Sequence, residues 1–276
     1  MPEYRGADDA ELFFEDRGDG PPIVVLGGGA PGHPDYLEDL AGLGDHYRLI
    51  VPHLRGVGRS PSTDGDLGAW WHESADIDCL RKQLGLDRLT IVAHSSGTRL
   101  AISYAVQHPE RVARILLITP PSAYLVDEPS DVPEIAARRS DAAFVEAYRR
   151  MHAESPSDQA SLEAWTEATA PVGYAAWGER QQLHSRVGSA NYRVNRTCFS
   201  VAPPADLADR LAVVEAPVLV IAGAEDALTG AAPAVALARL FPRGTATVLD
   251  GSGHYPWVDQ PWGFLAAARR FLDEPG

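Results

Sequence analysis

The stretch LTIVAHSSGTRLAISYAVQH, residues 89–108, joins a strand-like run to a helix-like run through a sharp turn. Residues 89–93 are apolar and rich in β-branched side chains, which favours a buried strand. Residues 97–108 have helical character and end before Pro109, which cannot continue a helix. The stretch therefore predicts a strand, a turn and a helix in immediate succession.

Ser95 stands in this turn, with the small residues Ala93 and Gly97 two positions before and after it. Such spacing is typical of a nucleophile elbow, in which serine occupies a strained strand-to-helix turn and bulky flanking residues would collide. The centred position favours Ser95 over Ser96 as a nucleophile. The alternative is that Ser95 only caps the following helix, because serine is a favoured N-cap residue.

The rest of the chain extends this pattern into a layered α/β fold. Strand-like and helix-like segments alternate on both sides of the turn, which is typical of a parallel sheet with crossover helices. One predicted helix begins near Tyr36. From residue 122 to about 215 the pattern is helical and polar, without a convincing strand. We predict a mostly parallel sheet flanked by helices, with residues 1–121 and 216–276 as the core and residues 122–215 as an inserted α-helical cap.

A serine nucleophile needs a base that removes its proton and an acid that orients the base. Asp226 follows the predicted strand at residues 217–222, and His254 follows the next predicted strand in a loop that contains glycine. We predict Ser95 as nucleophile, Asp226 as acid and His254 as base, because they occur in the order expected after such an elbow. Glu225 is a rival for the acid, and Asp226 and His254 each have an ordinary loop role as alternative.

The oxyanion formed by serine attack needs two preorganised N–H donors. The Ser96 amide supplies one, and we predict Gly29 as the second, in the glycine-rich loop at residues 26–32. Glycine lets this backbone approach a substrate closely, and Gly28 is a candidate substrate contact. The loop also matches a dinucleotide-binding fingerprint, but Pro31 lacks the N–H that a phosphate cradle would use. We therefore favour the oxyanion loop.

Composition limits the partners. The formal net charge of −14 opposes binding to nucleic acid or an anionic membrane, so we expect a small neutral or cationic substrate. The N-terminal segment lacks the pattern of a secretory signal, and we expect a cytoplasmic location. Cys79 and Cys198 are too few for a disulfide framework, and they do not have the spacing of a metal knuckle. We expect neither a metal nor an organic cofactor, and the sequence does not indicate an oligomeric state.

These motifs together resemble the α/β-hydrolase superfamily and, more narrowly, its proline iminopeptidase-like branch. The resemblance covers both halves of the sheet. Its segments are GGGAP at residues 27–31 with Tyr36 and Leu37, LRGVGRS at residues 54–60, the elbow, and GHYPW at residues 253–257. The resemblance implies the α/β-hydrolase fold and hydrolysis by a serine triad.

Several positions differ from that branch. Its oxyanion loop usually reads His-Gly-Gly-Pro-Gly, so Gly27 replaces the histidine and Ala30 the proline. The Asp-Gln pair that precedes Arg-Gly in the family is His53-Leu54 here, and Ser96 stands where tryptophan is common. The differences favour a small-molecule esterase, lactonase or amidase over a prolyl aminopeptidase.

Substrate recognition is expected in the inserted cap. Family peptidases bind the free α-amino group through cap carboxylates, and the carboxylates available here are Glu146, Glu154, Glu163, Glu167 and Glu179. Each is also an ordinary candidate for a solvated helix face. Aromatic residues of the same segment are candidates to line a pocket, namely Trp165, Tyr174, Trp177 and Tyr192. Each is also a candidate for packing inside the cap.

The predicted function is hydrolysis of an ester or amide bond in a small molecule through an acyl-enzyme. Two alternatives belong to other classes. The same triad and fold can serve a non-hydrolytic or carbon–carbon bond-cleaving reaction, and a catalytically silent protein of this fold would only bind a ligand.

Overall fold

The computed structural model describes residues 2–29, 32–61, 70–198 and 202–274, and it contains one eight-stranded sheet. Ala30 and Pro31 of the glycine-rich loop lie outside the described residues. The strands are β1 (Glu3–Arg5), β2 (Glu11–Arg17), β3 (Pro22–Leu26), β4 (Arg48–Pro52), β5 (Leu89–His94), β6 (Val112–Ile118), β7 (Val218–Gly223) and β8 (Gly244–Leu249).

The described helices flank the sheet or belong to the segment between β6 and β7. They are α1 (Trp70–Gln83), α2 (Gly97–Gln107), α3 (Val132–Ala137), α4 (Ala142–Ala153), α5 (Gln159–Thr169), α6 (Glu179–His184), α7 (Tyr192–Cys198), α8 (Leu207–Arg210), α9 (Ala232–Ala238), α10 (Pro256–Asp259) and α11 (Pro261–Leu272). Short 3₁₀ turns occur at Pro34–Leu37, Leu43–Asp45, Pro109–Arg111, Ala170–Gly173 and Leu211–Val213.

The strand order is β1-β2-β4-β3-β5-β6-β7-β8. The pairs β1–β2 and β2–β4 are antiparallel, and the remaining neighbours are parallel. The mostly parallel α/β-hydrolase fold predicted from the sequence is thereby confirmed. Because parallel strands share one direction, the loops after β3, β5, β7 and β8 all leave from the same edge of the sheet.

Helices cover both faces of the sheet, so its central strands are apolar at consecutive positions. In β6, Ile115 and Leu117 belong to one apolar cluster with α1, α2 and α9. Leu116 and Ile118 belong to a second cluster, on the α11 side. Successive side chains of a strand point to opposite faces, so an unbroken apolar run is the expected pattern of a doubly covered strand.

The prediction of a helix near Tyr36 was wrong. The chain makes a single 3₁₀ turn at Pro34–Leu37. Glu38, Leu40 and Ala41 then have φ values of 51°, 53° and 58°, in the left-handed region. Left-handed backbone ends a right-handed helix, because the following N–H groups no longer face the carbonyls of the preceding turn.

The segment between β6 and β7 is helical in its described part. Polar contacts join it to the loop that follows β3. His184 Nε2 lies 2.7 Å from the carbonyl oxygen of Tyr36, and the His33 N–H donates to Ser189 O at 2.9 Å. The domain boundaries at residues 121 and 216 stay a prediction. Among the described residues, no helix has both the length and the apolar composition needed to cross a bilayer.

Candidate active site

The turn between β5 and α2 is a strained elbow. Ser95 has a φ of 49°, a left-handed conformation that is uncommon for a residue with a side chain. Its N–H donates to Ile118 O at 2.9 Å, and its carbonyl accepts from Thr98 N at 3.0 Å. The N-cap residue of α2 is Ser96, without a side-chain cap bond. Ser95 is therefore not the helix cap that was the alternative interpretation.

Close backbone packing around the elbow explains the small residues of the motif. A Cβ added at Gly97 would lie 2.4 Å from Gly27 O and 2.6 Å from Leu26 O. A Cβ at Gly28 would lie 2.7 Å from the Ser95 Cβ. The glycine-rich loop and the serine are thus in direct contact, which only residues without a side chain allow at positions 28 and 97.

Three side chains from the ends of β5, β7 and β8 meet at this turn. Ser95 Oγ lies 2.9 Å from His254 Nε2, and His254 Nδ1 lies 2.9 Å from Asp226 Oδ2. The structure therefore brings together the three residues that the sequence singled out. With Nδ1–H donating to the carboxylate, Nε2 carries the lone pair and accepts from the serine hydroxyl.

Asp226 is almost completely buried, yet it has partners for both oxygens. Oδ1 accepts from Leu228 N (2.9 Å) and Thr229 N (3.1 Å), and Oδ2 accepts from Thr229 Oγ1 (2.6 Å) and His254. Burial by itself would raise the pKa of Asp226, but His254 and these hydrogen bonds lower it below its ordinary value. The carboxylate is therefore ionised at neutral pH.

Glu225, the rival acid, faces another group. Its Oε2 accepts from Ser252 N at 2.9 Å, and its own N–H donates to Ser252 O at 2.9 Å. Glu225 thus supports the loop that carries His254, while Asp226 contacts the imidazole itself.

Two backbone amides beside Ser95 have no acceptor among the described residues, those of Gly29 and Ser96. Gly28 O accepts from Gly32 N at 3.0 Å, and in a trans peptide the Gly29 N–H points away from that carbonyl. The Ser96 amide lies at the start of α2, where the helix dipole favours negative charge. The two donors nominated from the sequence are therefore available.

A cavity of about 980 Å³ opens above these residues, between the sheet edge and the inserted segment. Gly28, Trp165 and Trp177 line it, as do Tyr174 and Tyr255. Tyr192 is not among the described lining residues: it begins α7, where its N–H donates to Gln159 Oε1 and Arg196 lies over its ring.

The five carboxylates nominated between residues 122 and 215 have different surroundings. Glu163 and Glu167 line the cavity, and both are exposed. Glu146 instead pairs with Arg149 and Arg150 on the outer face of α4. Glu154 and Glu179 are exposed and are not among the described lining residues.

The family follows from the sequence match that accompanies this geometry. The family model for the alpha/beta hydrolase fold matches residues 21–261. The chain belongs to the α/β-hydrolase fold family. This assignment supports a hydrolase.

Several relatives of this α/β hydrolase cover different shares of the chain. A protein from Caulobacter sp. strain K31 named "Putative carbamate hydrolase RutD" is 27% identical over 256 residues, 90% of each chain. A proline iminopeptidase from Xylella fastidiosa strain Temecula1 is 34% identical over 113 residues, 40% of this chain and 36% of that protein. The crystal structure of the esterase RhEst1 from Rhodococcus sp. ECU1013 has a TM-score of 0.76 and 21% identity, with 100% of this chain and 99% of that chain covered.

A second group of polar residues in this α/β hydrolase was not predicted from the sequence. Tyr36 Oη lies 2.8 Å from His94 Nδ1, and Thr119 Oγ1 donates to the carbonyl of His254 at 3.0 Å. Thr119 has a φ of 43°, which is a second strained position at this edge. His94 lies inside the elbow motif, and Tyr36 belongs to the segments that carry the family resemblance, so these positions were the available signals.

Because the protein buries three histidines, we expect its free energy of unfolding to fall in mild acid. Burial lowers the pKa of His53 to about 4, lowers that of His94 well below its ordinary range, and lowers that of His184. Between about pH 7 and 5 the unfolded chain binds more protons than the folded one, so the free energy of unfolding falls as the pH decreases. For His53 and His94, whose pKa values are lowered furthest, the expected contribution to the slope approaches about 1.4 kcal/mol per pH unit each. Asp259, whose pKa is raised by burial, opposes this trend with a single proton.

Urea unfolding at pH 7.5, 6.5 and 5.5 checks this expectation. His184→Gln keeps a donor for the Tyr36 carbonyl but does not titrate, so its urea midpoint should depend less on pH than that of the wild type. A wild-type midpoint that is constant across the three pH values would contradict the expectation.

Proposed function

We propose that this α/β hydrolase cleaves an ester or amide bond of a small molecule through an acyl-enzyme, with Ser95 as nucleophile, His254 as base and Asp226 as the acid that orients it. One observation carries the proposal. A serine hydroxyl in a strained elbow lies 2.9 Å from an imidazole nitrogen whose other nitrogen lies 2.9 Å from a buried, ionised carboxylate. This arrangement activates a hydroxyl that is otherwise a weak nucleophile.

Acylation follows from these contacts. Ser95 Oγ attacks the substrate carbonyl carbon while His254 Nε2 takes the hydroxyl proton, and the carbonyl oxygen becomes an oxyanion. The amides of Gly29 and Ser96 donate to that oxygen. The intermediate then collapses: the bond to the leaving group breaks, and the leaving group receives the proton from His254. Asp226 stays ionised and stabilises the imidazolium.

Deacylation uses the same groups with water as nucleophile. His254 Nε2 takes a proton from water as the oxygen attacks the acyl carbon, and the proton then returns to Ser95 Oγ as the acid product leaves. Every proton is carried by His254, so the reaction needs no metal or organic cofactor.

The cavity supports an uncharged acyl group over a free amine. Its wall contains Trp165, Trp177 and Tyr255, which offer apolar ring surface. The carboxylates among its described lining residues, Glu163 and Glu167, are exposed, and Glu163 accepts from Gln159 at 2.7 Å. The described lining residues thus offer no buried carboxylate to an ammonium group deep in the cavity. We propose residues 122–215 as the cap that supplies the two tryptophans of this wall, and a cytoplasmic small molecule as substrate.

A comparison of three chromogenic substrates tests this assignment: a short-chain nitrophenyl ester, a nitrophenyl carbamate and prolyl nitroanilide. The carbamate is included because the resemblance to the Caulobacter protein covers 90% of each chain. We expect the ester to have a kcat/KM at least about tenfold above that of prolyl nitroanilide, because the prolyl ammonium group would be desolvated and the described lining residues offer it no buried carboxylate.

The other outcomes separate the alternatives. A preference for prolyl nitroanilide would indicate an aminopeptidase. Turnover of none of the three, with Ser95 still labelled by a fluorophosphonate, would favour a non-hydrolytic or carbon–carbon bond-cleaving reaction. Neither turnover nor labelling would indicate a ligand-binding protein.

A further inference from the structure

A continuous chain of buried hydrogen bonds joins three segments of the site. The Gly28 N–H donates to Tyr36 Oη at 2.6 Å, and Tyr36 Oη lies 2.8 Å from His94 Nδ1. His94 Nε2 lies 2.9 Å from the carbonyl oxygen of His254. The chain therefore runs from the glycine-rich loop, through the residue before Ser95, to the backbone of His254.

Both ends of this chain are backbone groups of fixed polarity, so its protons have a single arrangement. The His254 carbonyl can only accept, hence His94 Nε2 carries a proton and donates. In a neutral ring, His94 Nδ1 then accepts from the Tyr36 hydroxyl, whose oxygen accepts from Gly28 N–H. Burial, with a contribution from His254, lowers the pKa of His94 and keeps the ring neutral.

Aromatic packing holds the His94 ring independently of these hydrogen bonds. Its centroid lies 4.8 Å from that of Trp257, 4.8 Å from that of His254 and 5.5 Å from that of Tyr36. Removal of the Tyr36 hydroxyl alone should therefore leave the ring contacts in place and remove only the polar connection.

The Tyr36 end of the chain sets the orientation of the oxyanion loop. Gly28 packs directly on Ser95, and its N–H and carbonyl are both used, by Tyr36 and by Gly32. Because both groups of Gly28 are held, the orientation of the next N–H, that of Gly29, is fixed. Loss of the Tyr36 hydroxyl would free one of these two constraints.

The His94 end sets the position of the base. The His254 carbonyl accepts from His94 and from Thr119 Oγ1 (3.0 Å), and its N–H donates to Gly173 O at 2.8 Å. The backbone of His254 is thus held from both sides. Its imidazole can meet Ser95 only if that backbone is in place.

We propose that Tyr36 and His94 are positioning residues of this enzyme. They hold the Gly29 amide and His254 in the positions that reaction at Ser95 requires. The proposal rests on the proposed function. In this role neither residue transfers a proton, and each acts through the backbone group that it holds. Catalysis requires the oxyanion donors and the base to be placed within a fraction of an ångström. Loss of a hydrogen bond between these residues should therefore reduce kcat while KM changes little.

Tyr36→Phe tests the proposal, with Tyr47→Phe as the matched control. Tyr47 belongs to the same apolar cluster, and its hydroxyl donates to Asp273, away from the site. Per fluorophosphonate-reactive serine, we expect Tyr36→Phe to lower kcat on the nitrophenyl ester by about tenfold or more, with KM within about twofold. Tyr47→Phe should lower the unfolding midpoint and leave kcat near that of the wild type.

His94→Gln is a second variant, because a flexible amide replaces the rigid ring that places one nitrogen against Tyr36 and the other against the His254 carbonyl. We expect a similar loss of kcat, and the double variant Tyr36→Phe/His94→Gln should lose no more than about twofold beyond the larger single loss, because the two residues act as one chain. The labelling rate of Ser95 should fall in parallel.

Failure of the proposed function and failure of the positioning role give different results. A wild type that is not labelled would contradict the proposed function. A labelled wild type, with kcat and labelling rate unchanged in either Tyr36→Phe or His94→Gln, would overturn the positioning role alone. Additive losses in the double variant would also overturn it.

Discussion

Ser95→Ala is expected to lower kcat on the nitrophenyl ester by roughly 10⁴-fold or more, because the attacking atom itself is lost. The variant keeps the elbow backbone, the Ser96 amide and the cavity, and it removes only that oxygen. Residual turnover would come from water held beside His254 and the oxyanion donors. Steady-state kinetics under identical conditions for both proteins measure the loss.

Ser103→Ala is the matched control for this substitution. Ser103 lies on α2, and its hydroxyl donates to Arg99 O at 2.7 Å. The control also removes one hydroxyl from the element that follows the elbow, so kcat should stay near that of the wild type. Equal activities of Ser95→Ala and the wild type would mean that Ser95 is not the nucleophile.

Asp226→Asn is expected to lower kcat by roughly 10⁴-fold, although it changes the side-chain volume very little. The amide oxygen would accept from the backbone amides of Leu228 and Thr229, so the NH₂ group would face His254. His254 Nδ1 would then accept, and Nε2 would carry the proton. Because a protonated Nε2 cannot take the proton of Ser95, the histidine would be held in the inactive tautomer.

Glu225→Gln is the matched control for this second substitution. A glutamine oxygen at this position still accepts from Ser252 N, so we expect kcat within about tenfold of the wild type. The pair also separates the two carboxylates that compete for the role of acid. A severe loss in Glu225→Gln, together with an active Asp226→Asn, would assign that role to Glu225.

The central strands of the sheet could be predicted from the sequence because they are almost fully buried. Runs such as those of β5 to β7 carry apolar residues at nearly every position, and the helices between them repeat with a different period. The region after β3 could not be predicted in this way. Glu38, Leu40 and Ala41 adopt left-handed backbone without being glycine, so their identities carry no signal for the missing helix.

The three residues that meet at the elbow were accessible from the sequence because each follows a strand of a parallel sheet. Their order along the chain, and small residues around one serine, were enough to nominate them. The hydrogen bonds that link Tyr36 and His94 could not be predicted from the sequence, because the residues are distant in sequence and the network ends on backbone groups. Buried polar networks of this kind depend on tertiary packing.

The residues that line the cavity could be predicted only in part. Trp165 and Trp177 were nominated as aromatic residues of the inserted segment and do line the cavity, whereas Tyr192 was nominated on the same ground and is not among the described lining residues. Helical periodicity gives the apolar face of a helix, but several short helices can pack in many arrangements. Composition alone therefore does not distinguish a pocket wall from packing elsewhere in the segment.

Covalent labelling of the wild type with a fluorophosphonate, followed by mass spectrometry of the peptides, tests the central claim most directly. Such reagents react with a serine only when a base and oxyanion donors activate it. We expect one adduct per chain, located on Ser95, with loss of esterase activity in proportion to labelling and no adduct in Ser95→Ala. An adduct on another residue with activity lost, or full activity after complete labelling of Ser95, would contradict the account.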